Sequence, residues 1–303
     1  MQNNFGVFMN KYKQHPLITG TLILTITGLI TRIIGFYYRI YLSRLFGEEG
    51  MGIYQLINPV LSLSYSLAAA GYQTAISKLV AEETAKRKTA SYKPLILGLS
   101  ISIPLSLLCA AAVYLGSDFI AVSLLSEART ASMLRIVAFS LPLSAVHACI
   151  NGYFYGRKKT GTPAVAQFME QCCRVGCVYI ISYYATANNS TLSINVAVLG
   201  LVIGEFISVI ISIISIYLSY CNEHPSFSPL KKLPAGTGYT LQTYHKILVM
   251  ALPITANRIV LNLLHSVESV SIPSCLRQYG YDNTTALSVY GVLTGMAMPA
   301  GVI

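Results

Sequence analysis

The chain has 303 residues, of which 54% are hydrophobic and 11% are charged, and its formal net charge is +10. A soluble globular domain carries about 25% charged residues, so this composition excludes that class. It favours an all-α, polytopic membrane protein. The basic residues lie in connections between apolar segments, which excludes nucleic-acid binding as the reason for the positive charge.

Apolar runs follow one another along the whole sequence, and each is long enough to cross a hydrocarbon core of roughly 30 Å as a helix of about 20 residues. We predict seven complete membrane spans and the start of an eighth. The eighth run is still apolar where the sequence stops, so we expect the chain to end inside a helix. The predicted spans are 17–46, 51–71, 93–116, 131–155, 163–186, 193–219, 246–272 and a run from about 286.

The basic residues alternate with these spans. Thirteen of the 21 Lys and Arg lie in four segments, and the connections between those segments are short or poor in Lys and Arg. Because cytoplasmic connections are enriched in Lys and Arg, this alternation predicts a cytoplasmic N-terminus. The four segments hold Lys11 and Lys13; Lys78, Lys86, Arg87, Lys88 and Lys93; Arg157, Lys158 and Lys159; and Lys231, Lys232 and Lys246.

The first span contains GLITRIIGFYYRIYLSRLFG, an apolar helix with two internal arginines. Each central Arg costs about 2.5 to 3.5 kcal/mol of insertion free energy, so the helix inserts only if Arg32 and Arg39 turn away from lipid. Residues at spacings of three and four share one side of a helix. Here they form a stripe without aliphatic side chains, which predicts a wet cavity or a protein interface. The stripe is Thr21, Thr25, Gly28, Arg32, Gly35 and Arg39.

Four later spans carry a similar polar stripe, and five such helices can enclose water. These stripes are Ser140, Ser144, His147, Asn151 and Tyr155 in span four; Gln167, Glu170, Arg174 and Cys177 in span five; Glu205, Ser208, Ser212, Ser215 and Ser219 in span six; and Thr255, Arg258, Asn262, His265 and Ser269 in span seven.

Simpler structural roles stay open for several of these residues. Glu170 and Arg174, four positions apart, are either part of a site or a pair that neutralises itself. In span six, Gly200 and Gly204 form a GxxxG pattern that permits close helix packing. His147 and His265 are either proton carriers or hydrogen-bonded interior residues.

Prolines within the spans predict kinks, because each removes a backbone hydrogen bond. Bent helices around a cavity suit alternating access, although static bundles contain them as well. These prolines are Pro59, Pro104, Pro142, Pro253 and Pro299.

The sign of the charges in the stripes favours an anionic substrate. Arginine guanidinium groups match phosphate oxygens in pairs, so we predict a pyrophosphate-bearing ligand. We expect its contacts to be Arg32, Arg39, Arg258 and Arg174. The candidates for coupling to an ion such as H⁺ or Na⁺, or for charge pairs, are Glu170, Glu205 and His265. No nucleotide-binding loop, metal-binding motif or placed nucleophile occurs in the sequence, so we expect neither a cofactor nor enzyme activity.

Three segments divide the chain. A Pro- and Gly-rich stretch predicts a cytoplasmic linker at 221–243, between a six-helix lobe at 1–220 and the start of a second lobe at 244–303. Arg32 and Arg258 lie at similar depths in spans one and seven. This similarity reflects either an internal repeat of six helices or chance likeness between apolar helices.

The segment QTAISKLVAEETAKRK, residues 73–88, has the pattern of an amphipathic helix. Ala75, Ile76, Leu79 and Val80 fall on one side, and the charged residues lie elsewhere. This pattern predicts a helix at the cytoplasmic membrane surface.

Several runs resemble a known family. GTLILTITGLITRIIGFYYRIYLSRLFGEEGMGIYQLINPVLSLSYSLAAAGYQTAISKLVAEE resembles the first two helices of the sporulation and polysaccharide biosynthesis flippases. These belong to the multidrug, oligosaccharidyl-lipid and polysaccharide exporter superfamily. NGYFYGRKKTGTPAVAQFMEQCCRV is similar to the junction of that family's helices four and five, and ALPITANRI and YGVLTGMAMP are similar to helices seven and eight.

The resemblance implies two six-helix lobes that open alternately, in a multi-pass protein of the bacterial plasma membrane. It implies transport of lipid-linked oligosaccharide or peptidoglycan precursors, here for the spore cortex, with membrane lipids as surroundings. TRIIGF matches the first cavity arginine of the lipid II flippases at Arg32, whereas their second would fall on Tyr38 and here stands at Arg39.

The family pattern continues beyond Ile303, so we expect the sequence to be a fragment or a truncated reading frame, and the alternative is that it pairs with another chain. Two other functions stay open. One is a cation-coupled multidrug exporter of the same superfamily, and the other is a non-transporting scaffold for cell-wall synthesis.

Overall fold

The computed structural model describes residues 16–87, 91–188, 192–223 and 237–298, and within these ranges all regular structure is helical. The all-α prediction is therefore confirmed. The longer helices of the described ranges are α1 (Pro16–Leu56), α2 (Asn58–Tyr65), α3 (Gly71–Arg87), α4 (Lys93–Leu115), α5 (Thr130–Ala138), α6 (Ser140–Gly156), α7 (Gly161–Ala187), α8 (Asn195–Glu223), α9 (Thr237–Gln278) and α10 (Asn283–Val292). Shorter helical segments are Ser66–Ala70, Ser117–Phe119, Ile120–Leu124 and Leu293–Ala297.

A glycine divides the first helix. Gly47 has φ 74° and ψ 175°, outside the helical region, and a residue without Cβ adopts this conformation without strain. The break separates the predicted spans 17–46 and 51–71. The helical stretch Thr19–Lys86 has 68 residues, far more than the roughly 20 that one crossing needs, so its length accommodates both spans.

The number of apolar helices makes this a multi-pass membrane protein. Among the described residues, four helices are long and apolar enough to cross a bilayer, and a fifth is added if the pair α5 and α6, bent by 43°, forms one span. All seven complete predicted spans fall on helix. The predicted fifth span, α7, is not among the apolar helices, and its stripe of Gln167, Glu170 and Arg174 explains why.

The outcome for the predicted kinks differs between the prolines. Pro59 follows the break at Ile57, and Pro142 lies in the first turn of α6, directly after the bend. Pro104 and Pro253 lie inside α4 and α9, which continue through them. Pro299 is outside the described residues, as are Lys11, Lys13, Lys88, Lys231 and Lys232.

Two large clusters of buried apolar side chains, and a small one of alanines, hold the helices together. One contains side chains of α1, α4, α5 and α10, and includes Leu42, Met51, Val113, Leu134 and Leu287. The other joins α3, α6 and α9 and includes Ile76, Val80, Tyr153, Phe154 and Ile247. On the outside of α1, large apolar side chains stay exposed, as expected of a lipid-facing surface: Leu22, Ile26, Leu29, Ile30 and Ile33.

The amphipathic segment is helical, as predicted, but its apolar side contacts protein. Ala75, Ile76, Leu79 and Val80 in α3 are buried against α6 and α9. The prediction that this side faces the membrane surface is therefore wrong. The sequence pattern shows which side is apolar, and the neighbouring helices determine what covers it.

The predicted linker lies only partly within the described residues. Residues 224–236 are outside them, and Thr237 already begins α9.

The helix that precedes the linker, α8, packs closely on α7. A Cβ at Gly204 would lie 2.9 Å from the backbone oxygen of Glu170, so this position needs glycine for the approach. The close packing predicted from the GxxxG pattern is confirmed.

Candidate functional site

The three arginines of the polar stripes in α1 and α7 converge on one cavity of about 690 Å³, which we call the arginine cavity. Arg32 and Arg39 come from α1, and Arg174 comes from α7 together with Glu170. The other lining residues are Thr31, Gly35, Phe36, Tyr38, Tyr54, Gln55, Asn58, Gln167, Gln171, Leu201 and Met298.

The arginine cavity has an excess of positive charge. Arg174 Nη2 donates to Glu170 Oε1 at 2.5 Å, so this pair neutralises itself. Arg32 and Arg39 have no ion-pair partner in the part of the chain that the structure describes. With three arginines and one glutamate, the formal charge of the lining is +2. Low-dielectric surroundings strengthen the attraction of such a cavity for anions.

Neutral hydrogen-bonding groups surround the arginines. Asn58 donates to Gln55, and both line the arginine cavity next to the break between α1 and α2. Tyr38 is 5% exposed, and its hydroxyl has no hydrogen-bond partner among the described residues. The wall at Gly35 is close to Gln171, since a Cβ added to Gly35 would lie only 3.3 Å from Gln171 Nε2. The cavity therefore offers further donors and acceptors to a polar ligand.

A second cavity, of about 250 Å³, adjoins the first, and we call it the acid–histidine cavity. His147 from α6, Glu170 from α7 and Glu205 from α8 meet there. His147 Nδ1 lies 3.4 Å from Glu205 Oε2, and Ser208 Oγ lies 3.1 Å from the same ring nitrogen. Its remaining lining is Tyr65, Ser144, Ala148, Asn151, Tyr155, Pro163 and Gln167.

Glu170 and Gln167 line both cavities. The two residues lie three positions apart in α7, so they are on one side of the helix. Among the described lining residues, Glu170 is the only acid of the arginine cavity. It is also one of the two acids of the acid–histidine cavity, with Glu205. The two cavities therefore share a charged wall.

The predicted residues of α9 lie elsewhere. Arg258 is exposed and does not line either of the two cavities described above, although it is within electrostatic range of Tyr65. His265 is exposed too, and its Nδ1 lies 3.5 Å from Glu268 Oε2 on the same helix. Of the two roles considered for His265, a hydrogen-bonded interior residue does not match its exposed side chain, whereas its place beside Glu268 is that of a charge-pair candidate. His147, in contrast, is 9% exposed.

A network of ion pairs lies at the end of the bundle opposite the Lys-rich connections. Arg129 donates to both oxygens of Glu127, at 2.7 and 3.1 Å, and to Glu49 at 2.7 Å. Asn283 Nδ2 donates to Glu127 Oε2 at 3.2 Å, which joins the start of α10 to the connection before α5. The hydrogen bonds from Arg129 lower the pKa of Glu127 most, and the one from Asn283 lowers it further. Burial raises this pKa, but the hydrogen bonds outweigh burial, so the pKa lies below its ordinary value.

His147 and Asn151 belong to the polar stripe of span four but are not among the predicted contact or coupling residues. Tyr38, Gln55 and Asn58 are not among them either. His147 could have been found from its place on a stripe beside Asn151 and Ser144. Gln55 and Asn58 follow the break at Gly47, so no regular helical spacing relates them to Arg32.

Comparison with known proteins identifies the family. The family model described as "polysaccharide biosynthesis protein" matches residues 17–303. This chain belongs to that family. The resemblance drawn from the sequence is thereby confirmed.

Curated relatives of this family member come from Bacillus subtilis (strain 168). Stage V sporulation protein B is 30% identical over 289 residues, which cover 94% of this chain and 54% of the relative. The lipid II flippase MurJ is 27% identical over 175 residues, which cover 55% of this chain and 32% of the relative. The chain thus spans about half the length of stage V sporulation protein B.

A solved structure supports the fold. The chain is similar to a MOP superfamily transporter from Pyrococcus furiosus, with a TM-score of 0.50 and 14% sequence identity, over 94% of this chain and 61% of the other. At this identity the likeness shows the exporter-superfamily fold and nothing about the ligand.

Proposed function

We propose that this family member moves lipid-linked precursors of cell-wall polysaccharide, in particular the peptidoglycan precursor of the spore cortex, across the bacterial plasma membrane by alternating access. The observation that carries the proposal is the arginine cavity, in which Arg32 and Arg39 have no acidic partner within the described residues. A diphosphate supplies the oxygens that two guanidinium groups bind. The names of the relatives, a sporulation protein and a lipid II flippase, support the same class of substrate.

The test is binding of a fluorescent polyprenyl diphosphate to the purified protein in detergent, with the uncharged polyprenol as control ligand. A charge-assisted hydrogen bond contributes about 1.5 to 3 kcal/mol, so Arg32→Ala or Arg39→Ala is expected to raise Kd for the diphosphate about 10- to 100-fold. Arg44→Ala is the matched control, because Arg44 lies on the same helix outside the arginine cavity. It is expected to bind like the wild type.

Two results would overturn this assignment. One is unchanged diphosphate affinity in both cavity variants, and the other is equal affinity for polyprenyl diphosphate and polyprenol. Binding of organic cations that depends on Glu170 or Glu205 would indicate a multidrug exporter instead. A scaffold would tolerate neutral substitution of the whole stripe without loss of cortex formation in a sporulating strain that depends on the protein.

A further inference from the structure

Three side chains that bind metals meet in the acid–histidine cavity. One imidazole nitrogen of His147 and one carboxylate oxygen each of Glu170 and Glu205 lie within 4.8 Å of one another. The three residues come from α6, α7 and α8, so the fold and not a local sequence motif assembles the set. Imidazole together with carboxylates is a donor set that first-row divalent cations accept.

The separation between His147 and Glu205 suits a small divalent ion. Two ligands bound at about 2.1 Å in a tetrahedral site are about 3.4 Å apart. His147 Nδ1 and Glu205 Oε2 have a separation of 3.4 Å. Ser208 Oγ lies 3.1 Å from each of the two ring nitrogens of His147, so this hydroxyl flanks the edge of the ring that faces Glu205.

Asn151 provides an independent observation. It is 9% exposed, lines the same cavity, and its Oδ1 has no hydrogen-bond partner among the described residues. A buried acceptor without a partner costs about 1 to 3 kcal/mol. An ion in the acid–histidine cavity would bind this amide oxygen, a ligand type that Ca²⁺ and Mn²⁺ sites commonly use.

The shared acid links this cavity to the arginine cavity. Glu170 accepts from Arg174 at 2.5 Å, and Arg174 Nε is buried without a partner among the described residues. A cation between His147 and Glu205 attracts the Glu170 carboxylate and so weakens its bond to Arg174. The released guanidinium then adds to the positive charge that an anion meets in the arginine cavity.

We propose that His147, Glu170 and Glu205, together with Asn151, bind a divalent cation of the Mn²⁺ and Zn²⁺ class, and that this binding strengthens diphosphate binding by releasing Arg174. The first half of this inference stands on the acid–histidine cavity alone. The second half rests on the proposed function. Thermodynamic linkage requires the effect to be reciprocal, so the diphosphate must tighten the cation by the same factor.

The cation site is tested with Mn²⁺ alone, by electron paramagnetic resonance of the purified protein without lipid substrate. One saturable Mn²⁺ site with nitrogen coupling from a directly bound imidazole is expected. Glu205→Gln and His147→Gln should each weaken Mn²⁺ at least about 10-fold, and His147→Gln should remove the nitrogen coupling. His265→Gln and Glu268→Gln are matched controls, because these residues form the exposed His–Glu pair of α9.

Absence of a saturable site in the wild type, or nitrogen coupling that persists in His147→Gln, overturns the proposal. The proposal is also overturned if the affinity for Mn²⁺ falls only in His265→Gln or Glu268→Gln. The wild-type measurement does not depend on any variant folding, and size-exclusion profiles check the variants.

The linkage is tested by measuring polyprenyl diphosphate affinity with and without saturating Mn²⁺. An increase of about 10-fold is expected in the wild type and none in Glu205→Gln. If Mn²⁺ binds as predicted but leaves diphosphate affinity unchanged, the release of Arg174 is wrong and the cation site stands. If Arg32→Ala and Arg39→Ala bind diphosphate normally, the proposed function fails and the Mn²⁺ result is unaffected.

Discussion

Glu127 shows how one residue outside the spans responds to its partners. Its carboxylate is 6% exposed and receives hydrogen bonds from Arg129 and Asn283, which lower its pKa from the ordinary value of 4.5. A carboxyl with a lower pKa in the folded state contributes stability above its unfolded pKa. That stability is lost as the pH falls through the folded pKa.

We therefore expect acid to destabilise the protein partly through Glu127. Between about pH 6 and pH 3, the melting temperature of the wild type in detergent should fall more steeply than that of Glu127→Gln, because the variant has no carboxyl to protonate there. Differential scanning fluorimetry across this pH range measures the melting temperatures of both proteins. Glu48→Gln, at an exposed acid without an ion pair in the described part of the chain, should follow the wild type. Equal slopes for Glu127→Gln and wild type would contradict the prediction.

Residues on one helix were predictable from spacing, and residues that meet across helices were not. Arg32 and Arg39 are seven positions apart, and Glu170 and Arg174 four, so each pair shares a side whatever the fold. All four line the arginine cavity. Arg258 sits on a similar stripe yet lies outside it, because the orientation of α9 depends on its neighbours. Sequence periodicity contains no information on that orientation.

Glycines determine how closely the helices approach. At Gly152 in α6, an added Cβ would lie 3.1 Å from the Cα of Gln73 in α3, and nearer still to that residue's carbonyl oxygen. The obstruction is backbone, which cannot rotate away as a side chain does. Small residues at helix contacts are the usual basis of packing in membranes. Gly152 is therefore required for the contact between α3 and α6.

Gly152→Ala is expected to destabilise the protein by about 1 to 3 kcal/mol, the typical cost of overpacking. Gly176→Ala in α7 is the matched control, since no atom lies within 4 Å of a Cβ there. It should be neutral or stabilising by about 0.5 to 1 kcal/mol, because alanine is the better helix former. Thermal unfolding of both variants in the same detergent compares them. Equal melting temperatures would show that α6 does not pack this closely on α3.

At the scale of the whole molecule, composition and run length were sufficient for the fold class. Seven apolar runs became helix because in lipid every backbone group must be bonded within its own segment. The arrangement was not predictable in the same way. Whether the apolar side of α3 meets lipid or protein depends on where α6 and α9 lie, and the two cavities exist only where α1, α6, α7 and α8 come together.

The basic connections predict the orientation of the bundle in the membrane. The connection between α6 and α7 holds Arg157, Lys158 and Lys159, whereas the one between α7 and α8 has no Lys or Arg. Because basic connections stay in the cytoplasm, Lys158 should face inward and Ser193, which precedes α8, outward. Both side chains are exposed, so a cysteine at either position is open to reagents.

In a variant without the seven native cysteines, a membrane-impermeant maleimide should therefore label Ser193→Cys in intact cells. It should label Lys158→Cys only after permeabilisation. Removal of Cys275 matters most, because its side chain is exposed and would react with the maleimide, whereas the other cysteines that the structure describes are buried or half-buried. Labelling of Lys158→Cys in intact cells would show that the protein has the opposite orientation in the membrane.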